Sequence, residues 1–209
     1  LDQLGNLAGH WQRSIRLFAR VNVRWQAELA ERGQVDGATR RNLLFAAAAK
    51  RWKEAPLPHP IVAAGVTSAA PALARLLRVI AELPQGAVIL PDLDRELDAA
   101  AWDELGLAGA SAEPGGPVFG AEDALTHPQY HLKLLLNRMG INRAEVQPWH
   151  RRGMVAAEPA RSRAISSLFL PPQASRSWIT LDADRRRLAG VRLLTSATIE
   201  EEAQAIALM

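Results

Sequence analysis

Arg13, Arg16, Arg20 and Arg24 recur three and four residues apart. On a helix running from about His10 to Glu31, Arg13, Arg20 and Arg24 share one face with Arg16 beside them, while Trp11, Ile15, Phe18, Val21, Trp25 and Leu29 take the opposite face. Arginines one turn apart can each meet a phosphate, so the chemistry open to this stripe is contact with a nucleic-acid backbone. The same pattern also describes the solvated side of an amphipathic helix. Both readings apply to Arg151-Arg152, to Arg161 and Arg163, and to Arg185-Arg186-Arg187. The chain has six tryptophans, and Trp149 and Trp178 stand next to Arg151, Arg152 and Arg176, the pairing of a base-stacking platform with phosphate partners. Trp11, Trp25, Trp52 and Trp102 are expected in the core.

Other constellations are poorer. Asp92 and Asp94 follow an apolar run and, with Glu96 and Asp98, offer carboxylates for a metal; a turn with a helix cap is the simpler account of them. His127 and His131 are four apart, a spacing that lets two imidazoles face one metal, but a third ligand is lacking and His127 also suits the start of a helix. None of the three lysines, Lys50, Lys53 and Lys133, follows a glycine, so there is no phosphate-binding loop of the GxxxxGK[ST] kind. Ser68, Ser166, Ser167 and Ser196 lack the glycine-flanked elbow of an esterase nucleophile. No catalytic residue, metal site or cofactor is read from these residues.

The elements that must position the arginines and carboxylates are marked by periodicity. After a second helix near Ala38 to Trp52, Pro56, Pro58 and Pro60 make a stiff connector. Ile61-Val62-Ala63-Ala64 and Ala87-Val88-Ile89-Leu90 are short apolar runs, and Leu73, Leu76, Leu77, Ile80 and Leu83 between them lie on one side of a helix. That order predicts a parallel pair joined by a right-handed crossover. A short helix over Asp98 to Leu105, an exposed loop over Gly109 to Gly120, and a helix over His127 to Met139 with Pro128 at its first position and Gly140 past its end follow. A strand near Arg192 to Thr195 and a helix from Ile199 complete the chain.

At 48% hydrophobic and 22% charged, with net charge +3, the 209 residues have ordinary globular composition, and the absence of cysteine excludes disulfides, thiolate nucleophiles and cysteine-ligated zinc or iron-sulfur clusters. No apolar run approaches a membrane span, and a cytoplasmic setting is expected.

Four segments together resemble the AddB subunit family of bacterial AddAB helicase-nucleases, in its alphaproteobacterial form: HWQRSIRLFARVNVRWQAELAERGQVDGATRRNLL, AAGVTSAAPALARLLRVIAELPQGAVILPDLD, HPQYHLKLLLNRMGINRAEVQPW and VRLLTSATIEEEAQAIALM. The family has a more polar turn, roughly AAGSTGS, where this chain has Ala63-Ala64-Gly65-Val66-Thr67-Ser68-Ala69. The resemblance implies a partial helicase-like, P-loop NTPase-type α/β sheet behind an all-helical N-terminal part. It divides the chain into a helical region 1–58, a helicase-like region with long loops 59–187, and the start of a strand-helix unit at 188–209. It also implies a longer parent chain, of which this is an internal fragment, with ATP, magnesium and an iron-sulfur cluster bound elsewhere, and an AddA-type partner and DNA as binding partners, with no membrane. Such an ATPase holds magnesium on acidic residues ending a buried strand. If Ile61 to Gly65 is that strand, Ala64 and Gly65 stand where the carboxylate pair would be, and the nucleotide site is degenerate. Three functions remain open at this point: a non-catalytic DNA-guiding segment in break repair, a protein-interaction scaffold without DNA binding, and a small nucleotide-binding enzyme with a site around Gly65 and Asp92.

Overall fold

A computed structural model of the chain describes residues 2–111, 113–149, 158–186 and 194–208. Among the described residues, seven α-helices and a two-stranded parallel sheet make a mostly helical, mixed α/β protein. The chain divides into two compact units, Leu1–Leu90 with Arg138–Gly140, and Pro91–Asn137 with Ile141–Met209.

The first unit begins with two helices, α1 (Asp2–Glu31) and α2 (Gly37–Glu54). Gly33, at a φ of 63°, takes the left-handed conformation that ends α1, and its N–H reaches the Ala30 carbonyl. Asp36 caps α2 by accepting from the Thr39 backbone N–H at 2.7 Å and from the Thr39 hydroxyl at 2.9 Å. Phe45, Ala48, Ala49 and Trp52 recur at helical spacing and form the half-buried stripe of α2, which packs on α3 (Pro71–Glu82).

Helix α3 carries this unit. Pro71 opens it, where a missing N–H costs nothing, and Ala74, Leu76, Leu77 and Ile80 bury its apolar side. It is the crossover between β1 (Ile61–Ala64) and β2 (Gly86–Ile89), which pair in parallel with Ile61 opposite Gly86 and Ala64 opposite Ile89. The predicted strands, their helix and their parallel sense are all present. Gly86 admits the end of α3 against the start of β2: a Cβ there would lie 1.8 Å from the Ile80 carbonyl oxygen.

The second unit is built from loops held on α5 (Tyr130–Met139). Leu132, Leu134, Leu135 and Leu136 are all buried, together with Leu97, Leu105 and Ala108, and α4 (Ala99–Asp103) adds Ala101. Four polar side chains near the start of α5 or along it tie the loops down. Gln129 accepts from the Asp94 N–H and donates to the Asp92 carbonyl, both at 2.9 Å. Tyr130 donates its hydroxyl to Asp123, Lys133 donates to the Trp102 carbonyl at 2.7 Å, and Asn137 donates to the carbonyls of Leu107 and Ala108. Gly140, at a φ of 68°, follows the last residue of α5, as its sequence position predicts.

One expectation is corrected here. Helix α5 begins at Tyr130 rather than His127, because His127 and Pro128 form a preceding turn in which the His127 ring accepts the Gln129 N–H at 3.0 Å and its carbonyl accepts the Tyr130 N–H. Of the strand expected near Arg192 to Thr195, Arg192 and Leu193 lie outside the described residues, and Leu194 and Thr195 are irregular. Of the final helices, α6 (Pro159–Leu168) opens on a proline and α7 (Ile199–Ala207) is capped by Thr198, whose side chain accepts the Glu201 N–H.

Candidate nucleic-acid interface

Arg13, Arg16, Arg20 and Arg24 are all exposed along α1. At 1.5 Å per residue they span about 16 Å of helix. Arg16 donates to the Gln12 carbonyl at 3.4 Å, and the ion pairs among the described residues are Arg32 with Glu28 and Arg78 with Glu82, so no carboxylate neutralises the stripe. Between Asp2 and Glu28 the helix carries no acidic residue. The stripe is therefore an unscreened row of cations.

The opposite face of α1 contradicts its expected burial. Trp11 is 67% exposed and Phe18 74%, and Ile15, Val21 and Trp25 are exposed with them; only Leu29 of that face is buried. Amphipathic spacing chooses the side that a helix would bury, but burial requires a partner surface, and α3 gives its own faces to α2 and the strands. Trp52 and Trp102 are half-buried rather than core. Trp149 is exposed, Trp178 donates its indole N–H to the Ser167 carbonyl at 3.0 Å, and Arg151, Arg152 and Arg187 lie outside the described residues.

Ala64 ends β1 and Gly65 follows at a φ of 70°, its N–H extending the ladder to the Ile89 carbonyl at 3.1 Å. Methyl and hydrogen at these positions provide no metal ligand. Asp94 spends one carboxylate oxygen on the N–H groups of Glu96 and Leu97, and Asp98 accepts from the Ala99 N–H at the head of α4, so this acidic run is a turn and a cap. His127 has both ring nitrogens engaged, one with the Gln129 N–H and the other with the Phe169 carbonyl. His131 is exposed and sits edge-on to Tyr130. Among the described residues no group of three or more His, Asp or Glu side chains is placed to hold a metal.

Two features have no counterpart in the sequence reading. Asp123 binds the backbone N–H of Leu107 at 2.8 Å, that of Ala108 at 3.3 Å and the Tyr130 hydroxyl at 2.8 Å. Burial pushes its carboxyl up, but the hydroxyl of Tyr130 and the N–H groups of Leu107, Gly120 and Ala108 outweigh that and hold it below the ordinary value. These bonds clamp Ala108 at a φ of 44°, a left-handed conformation that costs a non-glycine residue roughly 1–2 kcal/mol.

The second feature is cationic. Arg143 lies over the Trp102 ring with its guanidinium carbon 4.7 Å from the centroid, and the Lys133 ammonium is 5.8 Å from the same ring. Both line a cleft of about 490 Å³ with Arg95 and Asp103. Burial lowers the Lys133 pKa, attraction to Asp103 and Asp123 opposes this, and repulsion from Arg143 adds to the lowering. A larger cleft of about 910 Å³ shares Lys133 and Asp103 but is lined also by Glu104, Glu122 and Asp123, which makes it acidic. The one local hint of the cationic cluster was a lysine inside the Leu132–Leu136 apolar run. Arg95, Trp102 and Arg143 are too far apart in sequence to have been joined by spacing.

Comparison of the chain with protein-family models, with curated proteins and with solved structures finds no match. Its functional reading therefore rests on the residues described.

Proposed function

We propose that this chain is a non-catalytic, helicase-like segment of a DNA double-strand-break repair subunit of the AddB type, cytoplasmic, acting beside an AddA-type partner and guiding DNA along an arginine-lined surface. The observation that carries the DNA-guiding part is the exposed stripe of Arg13, Arg16, Arg20 and Arg24 without a neutralising carboxylate. On this reading β1, α3 and β2 are part of a P-loop NTPase-type sheet whose metal-holding carboxylates are replaced by Ala64 and Gly65. ATP, magnesium and iron-sulfur chemistry then lie elsewhere than in these residues, as the resemblance implies.

The exposed apolar face of α1 favours a second reading, a protein-interaction scaffold that does not bind DNA. Anisotropy of a fluorescent single-stranded oligonucleotide across a salt series separates the two. If Arg13, Arg20 and Arg24 each meet a phosphate, log affinity falls with log salt with a slope of about −2 from these residues, roughly 20-fold between 50 and 200 mM. Changing the three to glutamine is expected to remove that slope together with most of the affinity. No binding at low salt, or an unchanged slope in the variant, makes α1 a solvated face and leaves the scaffold reading.

A further inference from the structure

The strongest unassigned feature is the cluster of cations around Trp102. Lys133 is only 8% exposed, yet it forms no ion pair among the described residues: its ammonium group donates to the carbonyls of Trp102 and Asp103 at the end of α4, at 2.7 and 3.4 Å. Buried charges are ordinarily matched by an opposite charge. Arg143 makes one long hydrogen bond, 3.4 Å to the Asp94 carbonyl, and otherwise lies on the indole. Arg95 is exposed at the rim of the same cleft and has no hydrogen bond or ion pair among the described residues. Of the carboxylates near them in sequence, Asp94 is committed to the N–H groups of Glu96 and Leu97, Asp98 to Ala99, and Glu145 to the Asn142 N–H at 2.7 Å in a capping box, while the side chain of Glu96 is exposed and lies outside the cleft lining. Among the described lining residues Asp103 alone is negative, so they carry three positive charges against one.

We infer that this cleft binds a phosphate group, with Arg95 and Arg143 as the forked donors, Lys133 as the buried counter-charge at its base and Trp102 as the wall that orients Arg143. A divalent oxyanion would relieve the repulsion between Lys133 and Arg143, and guanidinium groups match phosphate oxygens in pairs. A cleft of about 490 Å³ has room for more than the bare anion, so the ligand class is a phosphate ester: a free nucleotide, or the backbone of a nucleic acid. The inference does not depend on α1 or on the repair reading.

The test is nuclear magnetic resonance of the whole chain at low ionic strength, following the Trp102 indole N–H, assigned by its disappearance in Trp102→Phe. Inorganic phosphate, thymidine monophosphate, a short oligothymidylate and the nucleoside thymidine are titrated separately. The phosphate-bearing probes are expected to move the signal and thymidine to leave it in place. Arg95→Gln and Arg143→Gln should each weaken binding about tenfold or more, as expected for loss of a charge-assisted bond, and Arg143→Lys should recover part of it. Tighter binding of the oligonucleotide than of the monophosphate identifies a backbone site; equal binding identifies a site for a free phosphate ester. No movement with any phosphate probe, or an undiminished affinity in Arg95→Gln, which alters only an exposed side chain, overturns the inference. Persistence of the signal change in the α1 triple-glutamine variant separates this cleft from the arginine stripe.

Discussion

Replacing Asp123 by alanine probes what holds the second unit together. The substitution takes the shared acceptor from three donors at once, the N–H groups of Leu107 and Ala108 and the hydroxyl of Tyr130, of which Ala108 is fully buried and Tyr130 only 2% exposed. A buried donor left unpaired costs about 1–3 kcal/mol. With the 3.3 Å Ala108 bond counted low, the expected loss is roughly 3–5 kcal/mol, on the order of 10 °C in melting temperature for a chain of this size. Tyr130→Phe removes one donor and leaves the others paired, so it should cost about 1 kcal/mol, and the double variant should cost less than the sum by a similar amount. Urea denaturation gives the energies, and amide exchange at Leu107 and Ala108 reports the site. The acid limb supplies a sign. Because the folded carboxyl lies below its ordinary value, its contribution is complete above the unfolded pKa, near 4, and is lost as pH falls through the lower folded value. Asp123→Ala should flatten stability over that acidic range. Equal costs for Asp123→Ala and Tyr130→Phe, or unchanged exchange at Leu107, would refute the clamp.

Gly86→Ala is expected to destabilise the first unit by about 2 kcal/mol or more, since the added methyl meets Ile80 backbone rather than a movable side chain; urea unfolding against wild type measures it, and a neutral result would mean that the end of α3 stands farther from β2. Hydrogen bonds from the Gln26 side chain and from Thr39 hold the Asp36 carboxyl down at about 2. Its hold on the start of α2 should persist above the ordinary carboxylate range and fade as pH falls toward 2. Thr39 amide protection followed by carboxyl titration checks this, and a midpoint near 4 would contradict it.

Most of the local structure was legible because its causes are local. Apolar runs ended by Gly65 and by Pro91 mark the strands, the leucine spacing between them marks α3, and a helical crossover between the two runs makes them pair in parallel. Gly33 and Gly140 stand at helix ends because the left-handed turn there suits glycine. The start of α5 was misjudged by the same kind of reasoning, since Pro128 fits a first turn but His127 takes the Gln129 N–H and delays the helix to Tyr130.

The sequence by itself determined the order of strands and helices, the face on which the α1 arginines gather, and the lack of a carboxylate at Ala64 and Gly65. Tertiary structure alone decided that Trp11 and Phe18 stay exposed, that Asp123 clamps Ala108, and that Arg95, Lys133 and Arg143 meet around Trp102. Periodicity acts over a few turns of chain, whereas burial and charge clustering depend on which distant segments loop closure brings together.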